Sequence, residues 1–293
     1  MQNHKLISIF IYTTDRFVHF FCAFSGNLPY YSFWCNIISR CIASSRDQNR
    51  GRTELISAVN ISKRYGKAVI LDQVSIAVAP GEIVCIVGPN GSGKSTLLAI
   101  LAGLLPADSG QVLYKGAPLR RATGHIGFVP QQDSLFPELT TAGNLSFWAS
   151  AAGTSLPGAL GSPALRLLGL DELLHKQVRH LSGGMRRRAA IATALVGEPS
   201  LLILDEPFTG LDLYFKEQLA ALLKRLRDAG VTLLYTSHNA DEIAPLSDRM
   251  HLLSGGGIVM SAKTSALSQN REELTRYLLE HIRNQAGYGN GDK

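Results

Sequence analysis

The chain has 293 residues, 45% of them hydrophobic and 18% charged, with a net charge of +6. That balance excludes disorder and suits a globular protein of one large domain or two small ones. The mild positive charge describes a solvated surface; a nucleic-acid patch would need clustering, and the one tight cluster is Arg186-Arg187-Arg188. Cys22, Cys35, Cys41 and Cys85 form no CxxC pair, which argues against a zinc site or a redox motif and favours a reducing compartment.

Residues 1–52 differ from the rest. No residue between Arg16 and Arg40 carries a formal charge, and Phe, Tyr and Cys are frequent. A membrane span needs about 20 mostly apolar residues, and His19, Asn27, Pro29 and Asn36 interrupt the run. Asp15 and Arg16 spoil it as a signal peptide. The segment is expected to be an unstructured extension or the product of an upstream start. A membrane-contacting segment and an ordered packing arm are the alternatives. Because the next methionine is Met185, a shorter product would need a non-Met start codon.

Short strands are expected at Leu55–Val59 and Val74–Val78, with turns at Gly66 and Pro80-Gly81. Ile83–Val87 is a continuous apolar run of strand length that ends in glycines. A helix follows from Ser95 and stops near Gly103. Further strands are expected at Leu201–Leu204 and Val231–Tyr235. Between them Phe215, Leu219, Leu222, Leu223 and Leu226 fall at helical spacing. Alternating strands and helices imply a mostly parallel sheet covered on both faces. From about Asp133 to Gly197 the strand signal disappears, and Leu165–Leu168 and Arg186–Val196 read as helices. An amphipathic helix near Glu272–Ile282 and a Gly/Asn tail close the chain. There is no internal repeat.

Gly88-Pro89-Asn90-Gly91-Ser92-Gly93-Lys94-Ser95 matches GxxxxGK[ST] between a strand and a helix. Glycines let backbone N–H groups turn inward around phosphate oxygens, and the helix start, with Thr96 in its first turn, adds a positive end. Lys94 suits the β- and γ-phosphates, and the Ser95 hydroxyl suits Mg²⁺. Downstream, the strand Leu201–Leu204 ends in Asp205 and Glu206. Asp205 fits the Mg²⁺ shell, and Glu206 fits a general base aimed at the water that attacks the γ-phosphate.

With these motifs, Leu181-Ser182-Gly183-Gly184-Met185 resembles the LSGGQ signature of ABC transporter nucleotide-binding domains, with Met in the last position. The resemblance runs from about Glu54 to Met260, and its motifs occur in family order. It implies an α/β P-loop NTPase fold: a RecA-like core, an antiparallel β subdomain and a helical subdomain at about 133–196. The cassette would occupy 53–262, and a helix and flexible tail 263–293. It further implies that Ser182, Gly183 and Gly184 bind the γ-phosphate of ATP held by a second chain. Under this reading Arg186–Arg188 need no nucleic acid and form a solvated helix face near phosphates.

Four more positions match by resemblance. Tyr65 stands where the family stacks an aromatic on adenine. Gln131 resembles the Q-loop glutamine that touches Mg²⁺ or the attacking water, with Gln132 leaving the register open by one. Phe208-Thr209-Gly210-Leu211-Asp212 resembles the D-loop, and His238 the switch histidine on the γ-phosphate.

The sequence LSGGMRRR and Pro137–Thr140 with Asn144-Leu145 look like ATPases of ABC-2 exporters of drugs, polysaccharides or haem. Gly143 stands where a Glu commonly precedes Asn-Leu, which weakens a helix start and puts the local permease contact in doubt.

The implied protein is a peripheral ATPase on the cytoplasmic face of the cell membrane, using ATP and Mg²⁺. It would be a homodimer, or a dimer with a similar ATPase subunit, around two ATP, driving a separate transmembrane permease. Export is preferred and import is the alternative. A soluble repair or translation ATPase would carry a coiled coil, zinc Cys pairs or a second cassette, and a GTPase would carry Asn-Lys-x-Asp. None of these is in the sequence.

Overall fold

The computed structural model describes residues 12–14, 17–19, 54–119, 125–132, 134–239, 242 and 246–267. The chain divides into two units, Met1–Asn49 and Arg50–Lys293. In the first, β1 (Tyr12–Thr14) pairs antiparallel with β2 (Phe17–His19). The remaining expectations for 1–52, and the helix expected near Glu272–Ile282, lie outside the described residues.

The second unit opens with a long antiparallel hairpin, β3 (Ile56–Tyr65) and β4 (Ala68–Val78), closed at Gly66. Both strands are about twice the expected length, because bulges interrupt the alternation of buried and exposed residues that would mark them in sequence. The next strand, β5 (Ile83–Val87), has the expected bounds, and all five residues are fully buried. Each such aliphatic side chain contributes about 1.5–3 kcal/mol by leaving water. After the glycine loop comes α1 (Lys94–Leu101), which buries Leu97, Leu98 and Leu101.

Next, β6 (Ser109–Tyr114) and β7 (Ala117–Pro118) extend the hairpin into a four-stranded sheet of order β4-β3-β6-β7. β8 (Ile126–Val129) begins the stretch that leads to Gln131.

The 141–195 region is helical. It contains α2 (Thr141–Ala151), α3 (Leu156–Leu160), α4 (Pro163–Arg166), a 3₁₀ turn (Val178–His180) and α5 (Gly183–Leu195). The helix expected at Leu165–Leu168 begins earlier and ends at Arg166, because Ser162 caps it through Leu165 N and Pro163 takes its first position. Gly143 does not disrupt α2. Thr140 caps the helix, accepting from Gly143 N, and the buried Asn144 side chain bonds the backbone of Phe136 and Thr140.

The chain then returns to the main sheet through β9 (Leu201–Leu204), α6 (Leu213–Asp228), β10 (Thr232–Ser237), β11 (Arg249–Ser254) and β12 (Gly257–Lys263), ending in a turn of helix, α7 (Thr264–Leu267). The six-stranded sheet has the order β12-β11-β5-β10-β9-β8, with only β12 antiparallel. Parallel strands buried on both faces read as unbroken apolar runs, as β5 and β9 do. The carboxyl ends of β5, β9 and β10 lie side by side, where open α/β sheets bind ligands. The smaller sheet is stitched to this one by Asp72 N donating to Gly256 O at 2.8 Å.

Helix α5 lies directly on β8. A Cβ at Gly127 would sit 2.4 Å from the Ala194 carbonyl oxygen. Gly127→Ala must therefore push α5 off the strand. Chemical denaturation of this variant is expected to show a loss of roughly 1–3 kcal/mol, and unchanged stability would mean that the close approach is not needed.

Candidate active site

The loop from Gly88 to Lys94 wraps the end of β5. At two of its glycines a side chain would collide with neighbouring backbone. A Cβ at Gly88 would lie 2.3 Å from the Leu253 carbonyl oxygen, and Gly93, which caps α1, has φ +98° with Ile70 O only 2.9 Å from where its Cβ would be. Asn90, Gly91 and Ser95 are exposed, and Thr96 is half-buried in the first turn of α1. Lys94 is 5% exposed. Its Nζ donates to Gly88 O at 2.9 Å and Pro89 O at 3.1 Å, and lies 3.5 Å from Glu206 Oε1. Ser92 Oγ is buried without a hydrogen-bond partner inside the same loop.

Strand β9 delivers Asp205 and Glu206 beside this loop. Both are buried, and Asp205 N donates to Val129 O on β8. Glu206 has φ +44°, a left-handed conformation unusual for a non-glycine residue. Its backbone N–H donates to Thr236 Oγ1 at 2.8 Å, and the Thr236 hydroxyl donates to Asp205 Oδ1 at 2.6 Å. The Glu206 carboxylate collects Thr209 Oγ1 at 3.0 Å, His238 Nδ1 at 3.3 Å and Gln131 Nε2 at 3.4 Å. Burial alone would push this carboxyl's pKa up. The Thr209 hydroxyl, the Lys94 charge and the His238 ring outweigh it and hold the group below the ordinary glutamate value. Glu206 is therefore ionised at neutral pH.

Of the two adjacent glutamines it is Gln131 that reaches Glu206. Its position is set from an unexpected direction. Arg187 is buried, and its guanidinium donates to Pro130 O and Gln131 O, both at 3.1 Å. The expectation of a solvated arginine face is thus wrong for Arg187. At helical spacing this residue faces β8 while Arg186 and Arg188 are less buried, so a charged run can hide one inward-facing member.

Ser182 caps α5, accepting from Met185 N at 3.3 Å. Ser182 and Gly183 are exposed, and Gly184 is pressed against Phe215, whose ring atoms lie 2.4 Å from where a Cβ would be. Among the described residues no hydrogen bond joins this turn to the Gly88–Ser95 loop of the same chain. Asp212 caps α6 through Phe215 N. Tyr65 is 53% exposed at the hairpin end, with Lys63 Nζ 5.9 Å from its ring centre.

The family model for ABC transporters matches residues 71–209, which include both the glycine loop and the Asp205-Glu206 pair. The chain is 36% identical to the linearmycin resistance ATP-binding protein LnrL of Bacillus subtilis, over 73% of this chain and 71% of that protein. The chain belongs to the ABC transporter ATP-binding family. It is also 36% identical to a Nod factor export ATP-binding protein I of Rhizobium etli (72% of this chain, 69% of that protein). It is 37% identical to the sulfate/thiosulfate import ATP-binding protein CysA of Caulobacter vibrioides (69% and 63%). The dimeric structure of MJ0796, a bacterial ABC transporter cassette, superposes with a TM-score of 0.64 at 29% identity, covering 71% of this chain and 98% of that one. The fold is that of the ABC ATPase cassette, and ATP hydrolysis coupled to transport is the activity of this family. No helix among the described residues is long and apolar enough to cross a membrane.

The donors present fit Mg²⁺, a hard cation that takes oxygen ligands. Asp205 is buried with Oδ1 engaged by Thr236, and its other oxygen accepts no hydrogen bond from the described residues. Sequence reasoning placed Thr209 in the D-loop-like motif and Arg187 on a solvated face, without the contacts seen here, and assigned Thr236 no task. For Thr236 the available signal was a hydroxyl inside a buried apolar strand, two residues before His238.

Arg187 ties the helix of the signature turn to the loop that aims Gln131. Arg187→Met leaves two backbone carbonyls without their charged donor. It is expected to cost at least about 2 kcal/mol on denaturant unfolding while ATP binding persists; an unshifted midpoint would show that the clamp carries no load.

Proposed function

We propose that this chain is the ATPase of an ABC exporter. Two copies, or one copy and a similar subunit, would enclose two ATP molecules and drive a separate transmembrane permease from the cytoplasmic face of the membrane. The observation that carries the reading is the convergence of Lys94, Gln131, Asp205, Glu206 and His238 at the ends of parallel strands beside a phosphate-shaped loop. In this reading the cassette occupies 53–262, with its helical subdomain at about 133–196 and a tail after 263.

Each residue then has a task. Backbone N–H groups of Gly88–Ser95 cradle the phosphates, with Pro89, Asn90, Gly91, Ser92 and Gly93 shaping the loop, and Thr96 lies in the first helical turn behind it. Tyr65 presents an exposed ring to adenine. Ser95, Asp205 and Gln131 would hold Mg²⁺, which when bound neutralises phosphate charge. Lys94 exchanges its carbonyl and Glu206 partners for the β- and γ-phosphates. That exchange removes a counter-charge from Glu206 and raises its basicity as the substrate arrives. Glu206 then orients the attacking water and accepts its proton, while His238 bonds the γ-phosphate. Ser182, Gly183 and Gly184 supply the second anion site to ATP on the partner chain. The exposure of Ser182 and Gly183 at a capped helix start supports that role.

Export is supported by LSGGMRRR, by the Pro137–Thr140 and Asn144-Leu145 pattern, and by the export relative. Import is the second reading, favoured by the equally similar CysA.

Glu206→Gln keeps the side chain's shape but removes its charge. ATP should still bind, and turnover should fall by roughly 10²–10⁴-fold. Size-exclusion chromatography with Mg-ATP should show a persistent dimer. Hydrolysis at the native rate would remove Glu206 from the mechanism.

A further inference from the structure

Thr236 is fully buried on β10 and touches both residues of the carboxylate pair at once. The backbone pairing of β9 with β10 runs only as far as Leu204 opposite Tyr235. One residue further on, a side chain replaces the ladder. The Thr236 hydroxyl accepts from Glu206 N–H at 2.8 Å and donates to Asp205 Oδ1 at 2.6 Å. A hydroxyl has one proton to give, and here it goes to Asp205, so the acceptor direction towards Glu206 is fixed as well. The two hydrogen bonds together orient the hydroxyl.

The two partners have different needs. Asp205 must turn one oxygen outward to a cation, and an engaged Oδ1 settles which oxygen that is. Glu206 sits at φ +44°, a conformation that persists only where the surroundings hold it. The surroundings are Thr236 at its N–H and Thr209, Gln131, His238 and Lys94 at its carboxylate.

We infer that Thr236 is a positioning residue for hydrolysis: one hydroxyl sets both the cation-facing oxygen of Asp205 and the backbone turn that aims Glu206. A purely structural threonine would satisfy buried backbone groups and affect stability alone. A positioning threonine affects turnover and the Mg²⁺-dependent part of nucleotide binding, and leaves Mg²⁺-free binding to the loop untouched. The inference rests on the roles proposed above for Asp205 and Glu206.

The test compares Thr236→Val, which keeps the shape without the hydroxyl, and Thr236→Ser, which keeps the hydroxyl, in the full chain beside Glu206→Gln. A fluorescent ATP analogue is titrated with and without Mg²⁺, and turnover is measured at saturating ATP. Thr236→Val is expected to lower kcat by about 10- to 100-fold, the size of one hydrogen bond to a charged group. It should also weaken binding only when Mg²⁺ is present. Thr236→Ser is expected to restore both. A valine variant with native kcat and native Mg²⁺ dependence, beside an inactive Glu206→Gln, overturns the inference and leaves the general-base reading standing. Native turnover by Glu206→Gln overturns both. If the valine protein does not fold, the serine variant decides. Near-native kcat and Mg²⁺ dependence support the inference, and a folded serine variant impaired about tenfold or more contradicts it.

Discussion

A lysine charge taken out of water must be paired, and Lys94 is 5% exposed. Its own loop supplies two carbonyl oxygens, and Glu206 supplies a carboxylate at 3.5 Å. The rest of the site is arranged around that requirement. The loop must curl tightly enough to bring Gly88 O and Pro89 O over the ammonium, which glycine at 88 and 93 allows. Strand β9 must end level with the loop, and parallel pairing of β9, β10 and β5 ensures that it does. Removing one member of a buried pair usually costs more than the pair contributes, because the other charge is stranded. In the proposed mechanism an incoming phosphate takes the place of the Glu206 carboxylate on Lys94 and leaves Glu206 to engage water.

Strand β10 acts as the strut for this arrangement. Side chains alternate along a strand, so Thr236 serves the carboxylate pair while Tyr235 and Ser237 point the other way. Tyr235 donates to Glu242 O and is 2.7 Å from Ser247 Oγ, and Ser237 donates to Glu242 Oε2 at 2.6 Å. Glu242 in turn pairs with Lys216 in α6 at 2.9 Å. The turn carrying His238 is thereby fastened to the helix that Asp212 begins. On the far side Arg187 fastens Gln131 to α5. The side chains around Glu206 are thus held by elements that continue into the Ser182–Gly184 turn and the Phe208–Asp212 loop.

The central motifs were legible because their chemistry forces a residue type at a fixed spacing. Strands β5 and β9 were found with their bounds because both faces are buried and the sequence shows unbroken aliphatic runs. β11 and β12 went unassigned: β11 mixes Arg249, His251 and Ser254 with its apolar residues, and β12 is a half-exposed edge. His251 illustrates the difficulty. It is buried against Ser261 Oγ, and burial holds its pKa down at about 3, so it behaves as a neutral core residue despite its polar name. Arg187 and Thr236 were missed for a related reason. Each is a polar residue whose partners are backbone groups or carboxylates far away in sequence, and no local pattern announces such a partner.

Whether the buried lysine charge is what holds the nucleotide can be measured directly by titrating Lys94→Ala with ATP and comparing it with the unmodified chain. The variant is expected to fold and to lose tight ATP binding, because the phosphates would meet the backbone cradle without a cation and the Glu206 carboxylate without its counter-charge. An affinity equal to that of the unmodified chain would contradict that expectation.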